Sequence, residues 1–248
     1  MSHEFLSILK QSNAILAGLP NGDWERWQRF LTPVELEVSH VIHQAGRKEK
    51  FIYLPASCII SVQYDFEDGN SAEFAEVGNE GMTGTFIFTG NSATVSQSTV
   101  ISRGVAYRAD VGFVEDEFNH SSSFRRQILR YMQLLMLYTA QTAVCNRRHS
   151  ITQQLARVLL VNLDRIMGND LAFTHELIAK SLGVRREGVT QAAQHLQSRG
   201  DIQYTRGNIS VKNRKGLMTS SCECYRIVKN ETDRLLSAAN PSAVHHEY

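Results

Sequence analysis

The sequence predicts an α+β protein: an antiparallel β sandwich or barrel, one long helix, and a C-terminal winged helix-turn-helix. Three observations carry this. Period-two segments separated by turn signals recur through the first 110 residues. Between 121 and 148 apolar residues recur at spacings 4-3-4-3-4-3 over a stretch without Gly or Pro. Between 174 and 200 two helical apolar patterns flank Gly183-Val184, where a glycine can take the left-handed conformation that turns one helix into another.

Composition narrows the class. A chain of 248 residues with 42% hydrophobic and 21% charged residues has room for a sizeable core in one or two domains. The N-terminus, MSHEFLSILKQSNAIL, carries early charge and lacks the apolar core of a signal peptide, which predicts a cytoplasmic protein. The most apolar run, 131–144, is interrupted by Gln133 and Gln141 and is too short to span a bilayer, so no membrane partner is expected. The four cysteines, Cys58, Cys145, Cys222 and Cys224, show no CxxC pair or metal-finger spacing, and the expectation is reduced, buried thiols and no metal. Cys222 and Cys224 are too close for an ordinary bridge, and two residues apart on a helix their thiols would diverge.

In chain order, Phe5, Leu6, Ile8 and Leu9 share a helical face, and Gly18-Leu19-Pro20-Asn21-Gly22 ends that run. Asp23 is placed to cap a second helix carrying Trp24, Trp27, Phe30 and Leu31. Strand candidates follow at 34–43, 51–54, 58–64, 71–77, 82–88, 95–101 and 104–109, separated by turns such as Ala45-Gly46-Arg47, Asp68-Gly69-Asn70 and Arg103-Gly104. Their spacing argues for about eight strands. A helix at 111–118 leads into the long one. Its heptad positions, Phe124, Ile128, Tyr131, Leu135, Tyr138, Thr142 and Cys145, predict a parallel homodimer seam, with Met132, Met136, Ala140 and Ala143 forming a second stripe against the barrel. Arg147-Arg148-His149-Ser150 reads as a hinge, with Ser150 capping a helix over 151–167.

Residues 174–200 then place Leu177, Ile178, Ala179 and Leu182 before the break and Val189, Ala192, Ala193 and Leu196 after it. The second helix opens with Arg185, Arg186 and Glu187 and carries Thr190 and Gln191 one turn on, side chains suited to phosphates and base edges. Ile202–Thr205 and Asn208–Val211 flank Arg206-Gly207 as a tight wing, and 214–237 reads as one more helix. Charge agrees: 146–229 holds 14 Lys and Arg against 6 Asp and Glu, whereas the remainder holds 12 against 19. A basic end beside an acidic one fits double-stranded DNA as a partner of the first. Nucleophile elbow, metalloprotease helix and phosphate loop are all missing from the sequence, so no enzyme is expected.

Barrel, long helix and winged helix-turn-helix in this order resemble the Crp/Fnr family of bacterial transcription regulators. The most specific stretch is IAKSLGVRREGVTQAAQHLQSRGDIQYTRGNISV, and GVRREGVT followed by SCECYRIV is similar to a subgroup whose effector is often undefined. The resemblance implies an N-terminal β-roll of jelly-roll or double-stranded β-helix type at 1–118, a dimerisation helix at 119–149 and the DNA-binding domain at 150–248. It implies base reading by Arg186, Glu187 and Gln191, with Thr174, Arg185 and Arg206 on the DNA backbone. RNA polymerase and a small-molecule effector of unassigned identity are its implied further partners. Members that bind cyclic nucleotide carry an Arg-Ser-Ala run for the phosphate. Here Asn91 stands before Ser92-Ala93, and an uncharged amide cannot replace the guanidinium fork. Glu80 lies only near the carboxylate position that holds the ribose, so no ordinary cyclic AMP binding is expected. The cysteine cluster of iron–sulfur members is absent, and His40 and His43 read as surface or core residues rather than haem ligands, so no cofactor is predicted. Two rivals remain at this level: a small-molecule- or partner-binding module whose helix-turn-helix makes protein contacts, and an enzyme on a cupin-like barrel.

Overall fold

A computed structural model describes residues 9–67, 71–90 and 93–237 of the chain. Phe5, Leu6 and Ile8, the turn Asp68-Gly69-Asn70, the pair Asn91-Ser92 and the tail 238–248 lie outside the described residues.

Helix α1 (Ala14–Ala17) is capped by Asn13, whose Oδ1 accepts from the Ile15 N–H at 3.1 Å. Its Nδ2 donates to the carbonyls of Pro55 and Gly81, pinning the N-terminal segment to the barrel. Helix α2 (Asn21–Trp27) follows Pro20 directly and is not capped by Asp23. That carboxylate instead accepts from the hydroxyls of Ser121 and Ser123 at the start of the long helix and pairs with Arg26, interactions that hold it below its ordinary range despite partial burial.

Seven strands, not the eight or so expected, build the N-terminal half among the described residues: β1 (Thr32–Leu36), β2 (Val41–His43), β3 (Phe51–Pro55), β4 (Ile59–Asp65), β5 (Ser71–Val77), β6 (Gln97–Ser102) and β7 (Gly104–Asp110). They form two antiparallel sheets, in the orders β1-β7-β3 and β2-β6-β4-β5, the β-roll. Two expectations fail locally. The 34–43 segment divides at Ser39, which turns through φ 70°, and 82–88 is a 3-10 turn (Thr85–Thr89) bounded by left-handed glycines. The core gathers Ile52, Leu54, Ile60, Val77, Val100 and Ala106 from the strands with Trp27 of α2.

Helix α3 (Val111–His120) is followed by α4 (Ser122–Arg148), 27 residues and about 40 Å long. The Ser121 hydroxyl caps α4 by accepting from the Phe124 N–H at 3.1 Å. The heptad seam expected at a dimer interface lies inside the protomer. Phe124 and Ile128 are 0% exposed, Tyr131 2%, Tyr138 7% and Cys145 0%, packed on the barrel and the C-terminal helices. Leu135 and Thr142 are half-buried; Leu135 lines a cavity with Val228, and Thr142 accepts from Arg157. The stripe expected to face the barrel is the one turned outward: Met136 is 73% exposed, Ala140 and Ala143 are exposed, and only Met132 packs against the barrel core. The inward face of α4 carries the larger aromatic side chains, Phe124, Tyr131 and Tyr138, whose burial removes more apolar area from water than burial of the alanines would.

Ser150 opens α5 (Ile151–Leu163) with a full capping box to Gln153, as the sequence predicts, but the helix ends four residues earlier than expected. Then come β8 (Asp170–Leu171), α6 (His175–Leu182), α7 (Arg186–Ser198), β9 (Ile202–Thr205), β10 (Asn208–Val211), α8 (Arg214–Ser220) and α9 (Glu223–Ser237). The single helix expected over 214–237 is broken at Ser221-Cys222, where Ser221 is extended. Helix α8 packs on α5, and α9 lies along α4. A second core of Leu155, Leu159, Ile178, Val189, Leu196, Ile209 and Leu217 fills this half.

The halves meet through buried charge. Arg165, just beyond α5, donates to Glu76 of β5 at 2.6 Å and to Glu80 at 2.8 Å. Asn162 and the Tyr138 hydroxyl donate to the same Glu76 oxygen at 3.0 and 3.2 Å. Beside them Glu73 accepts from Ser61 and from Ser181 of α6, so strand β5 is tied directly to the helix-turn-helix. Burial, and then the Glu76 charge, push the Glu73 carboxyl up to about 8.

Candidate nucleic-acid interface

The reading helix is positioned by local signals. Thr174 caps α6 by accepting from the Leu177 N–H at 3.0 Å. Gly183 ends α6 at φ 65°, and the Val184 N–H reaches back to the Ala179 carbonyl at 3.0 Å. That six-to-one bond is the mark of a Schellman stop, and any side chain at Gly183 would be strained there. Helix α7 begins three residues on. Arg185 occupies its N-cap without a side-chain cap bond, which leaves the guanidinium free to point outward.

Helix α7 buries Val189, Ala192, Ala193 and Leu196 against α5 and α6. Its opposite face exposes Arg186, Glu187, Gln191 and Gln194, so the sequence-predicted base readers share one solvent face, which Gln194 extends by a turn. Gln194 was readable from the helical period but lies beyond the matched Arg-Glu pair. Thr190 departs from expectation. Its hydroxyl is half-buried, donates to the Arg186 carbonyl at 3.0 Å and lies 3.0 Å from His175 Nδ1.

His175 is a residue that sequence reasoning missed. It is 8% exposed, and its ring stacks on Tyr204 of the wing at 4.0 Å between centroids. Burial, and then the Arg186 charge, push its pKa below the ordinary value. Tyr204 also donates its N–H to Gln197 of α7 at 2.8 Å, so the wing is fixed to α6 through His175 and to the reading helix through Gln197. The wing closes as a two-residue hairpin, Thr205 opposite Asn208, with positive φ at both Arg206 (22°) and Gly207 (81°). This is the turn class whose twist matches a hairpin, and it leaves Arg206 exposed at the tip. A third strand, β8, pairs with β10 on its free edge and was missed because two residues carry no period.

On the sensor side, Glu80 spends its carboxylate on Arg165 and on the Gly78 N–H rather than on the barrel interior. Asn91 and Ser92 lie outside the described residues. His40 is exposed, while His43 is buried 2.9 Å from the Thr83 hydroxyl with its pKa lowered to about 4 by burial, so the two do not converge. A cavity of about 320 Å³ opens between the halves, lined by Glu80, Tyr131, Tyr138, Arg165, Tyr225 and Val228 among others. The Tyr131 hydroxyl and Glu80 Oε2 have no hydrogen-bond partner there. No described helix is long and apolar enough to cross a membrane.

Comparison with known proteins agrees with this geometry. Residues 153–220 match the family model of the Crp-like helix-turn-helix domain. A sequence comparison with curated proteins finds no match. Among solved structures, a Crp/Fnr-family transcriptional regulator from Eubacterium rectale is 16% identical, covering 87% of this chain and 99% of its own, with a TM-score of 0.64. FixK2 from Bradyrhizobium japonicum is 13% identical over 77% of this chain and 98% of its own, at 0.63. The c-di-GMP-responsive global regulator CLP of Xanthomonas campestris is 15% identical over 77% and 99%, at 0.61. At such identities the structural likeness speaks for the fold, and the domain match speaks for the reader. Residues 153–220 thus belong to the Crp-like helix-turn-helix domain family, and the chain as a whole shares the fold of the Crp/Fnr-family regulator it is similar to.

Proposed function

We propose that the protein works as a homodimer that reads a pseudo-palindromic DNA site. The observation that carries this is the exposed polar face of α7, with Arg186, Glu187, Gln191 and Gln194 beside a wing tip bearing Arg206. Arg186 suits guanine O6 and N7, Glu187 suits cytosine N4, and Arg185, Thr174 and Arg206 suit phosphates. The occupant of the outward stripe of α4 is a second copy of the chain. Leu129, Gln133, Met136, Ala140, Ala143 and Arg147 repeat at 4-3-4-3-4, the spacing of a coiled-coil seam, and Leu129 and Met136 are 54% and 73% exposed. Alanines at two of these positions let the paired backbones approach closely. A parallel pair sets the two reading helices about one DNA turn, roughly 34 Å, apart.

The three-part organisation, β-roll at 1–118, spine at 119–149 and reader at 150–248, supports a regulator whose input acts where the parts meet. The cavity between the halves is the place for it, because a ligand there touches Arg165 and Tyr138 and so biases the β5–reader contact. The Glu80 Oε2, a carboxylate oxygen without a hydrogen-bond partner, favours a small ligand with hydrogen-bond donors rather than a phosphodiester anion. The test is selection of bound sequences from a random DNA pool. A two-fold motif with half-sites one turn apart is the expected result; a single asymmetric half-site bound by a monomer would refute the dimer.

A further inference from the structure

We infer that Cys145, His149, Cys222 and Cys224 form a tetrahedral binding site for a thiophilic d10 metal ion, with Zn(II) the fitting chemistry. The sequence hides the set, because Cys145 and His149 lie more than seventy residues from Cys222 and Cys224, and the latter pair would diverge on a single helix. In the structure Cys145 sits in the last turn of α4 and His149 caps that helix one turn later, which puts both on one side of its end. Cys222 lies in the break before α9 and Cys224 in that helix's first turn, so the two thiols converge rather than diverge. The four donor atoms lie within 4.8 Å of one another.

The separations are those a tetrahedral ion imposes. Zn–S bonds of about 2.3 Å and Zn–N bonds of about 2.0 Å give ligand edges of roughly 3.7 Å between sulfurs and roughly 3.5 Å between sulfur and nitrogen. Cys145 Sγ and Cys222 Sγ are 3.6 Å apart, and Cys224 Sγ is 3.5 Å from His149 Nδ1. The surroundings fit as well. His149 Nε2, the nitrogen left over, is 3.4 Å from Glu223 Oε2, the carboxylate–histidine pairing that orients a metal-bound imidazole. Gln141 Nε2 donates to Cys224 Sγ at 3.0 Å. Three thiolates, one imidazole and a divalent ion carry a formal charge of −1. Arg157, 1% exposed, is electrostatically coupled to Cys145 and Cys222, and its Nε has no hydrogen-bond partner. A buried guanidinium placed there offsets that charge. Three cysteines and a histidine with no fourth position left for water make a closed, structural site, not a catalytic one. On binding, the three thiol protons pass to solvent. The ion joins the end of α4 to the α8–α9 break, the two strands of chain that connect the reader to the spine.

The test is anaerobic Co(II) titration of the reduced, metal-stripped full-length protein. The expected result is one ion per chain, intense tetrahedral d–d absorption, sulfur-to-cobalt charge transfer from three thiolates, and displacement by Zn(II). The paired substitution Cys145→Ser with Cys222→Ser removes the charge-transfer band. Glu223→Gln keeps the band but weakens binding by roughly 10–100-fold. Weak octahedral absorption in the wild type, or reactivity of the three thiols Cys145, Cys222 and Cys224 that saturating Zn(II) leaves unchanged, overturns the site without recourse to any variant. Uptake unchanged in the double variant overturns the assignment of the ligands.

Discussion

Replacing Arg165 with methionine isolates the bond between the two halves of the chain. The guanidinium makes two charge-assisted contacts, to Glu76 at 2.6 Å and Glu80 at 2.8 Å, plus one to the Glu76 carbonyl at 3.3 Å, and lies over the Tyr138 ring at 5.3 Å. Arg165 and Glu76 are 7% and 3% exposed, so water does not take over when the cation goes. Removing one partner of such a buried pair costs about 3–5 kcal/mol, against about 0–1 kcal/mol for an exposed pair. At tenfold per 1.4 kcal/mol this is about two to three and a half powers of ten in the unfolding constant. The two tryptophans, Trp24 and Trp27, both lie in α2 and report the N-terminal half, while far-ultraviolet circular dichroism reports both halves. Urea titration of the wild type is expected to give coincident transitions. In Arg165→Met the fluorescence and dichroism transitions separate, and a cycle with Glu76→Gln returns a coupling energy of about 1.5–3 kcal/mol. A loss below about 1 kcal/mol, or additivity within about 0.5 kcal/mol, would refute the claim that this pair holds the halves together.

Three further predictions concern reading, assembly and pH. Arg186→Ala relaxes specificity by about 1–3 kcal/mol at one base pair per half-site, measured by competition among operator variants; unchanged discrimination everywhere removes Arg186 from base reading. Met136→Glu sets like charges against each other across the outward stripe of α4, and sedimentation equilibrium should show dimerisation weakened by several kcal/mol; an unchanged dimer places the seam elsewhere. Glu73, whose pKa is raised to about 8, contributes stability that is fully present below about pH 4.5 and is lost as pH rises through about 8. Glu73→Gln therefore flattens the stability profile between those values, and a profile that keeps its slope assigns the titration to another group.

What could be read beforehand was whatever is encoded locally. The helix-turn-helix is written in a glycine stop, a threonine cap and two apolar periods within 27 residues, and its solvent face emerged with the expected Arg186, Glu187 and Gln191 together. The β-roll was readable as alternation, but 82–88 was not, because Phe86 and Phe88 alternate equally well in a 3-10 turn bounded by left-handed glycines. The seam of α4 failed for a different reason. A 4-3 repeat says that a stripe is covered without saying by what, and Phe124, Tyr131 and Tyr138 are covered by their own chain. Asp23 was misassigned as a cap because a carboxylate takes its role from tertiary neighbours, here the hydroxyls of Ser121 and Ser123. The thiol–imidazole cluster was out of reach, since its members come from two helix ends that only the folded chain brings together.

The interruption at Ser221-Cys222 has a mechanical meaning. Helix α8 packs on α5, whereas α9 lies mainly along α4 and reaches the reader through Tyr225, whose hydroxyl bonds Arg214 and Asp164. The chain therefore crosses from spine to reader at His149-Ser150 and back again at Ser221-Cys222. A body held at one point can tumble freely, but a body held at two can only swing about the line joining them. Here the Arg165–Glu76 and Ser181–Glu73 bonds add two further points of attachment, so a swing of the reader requires their release.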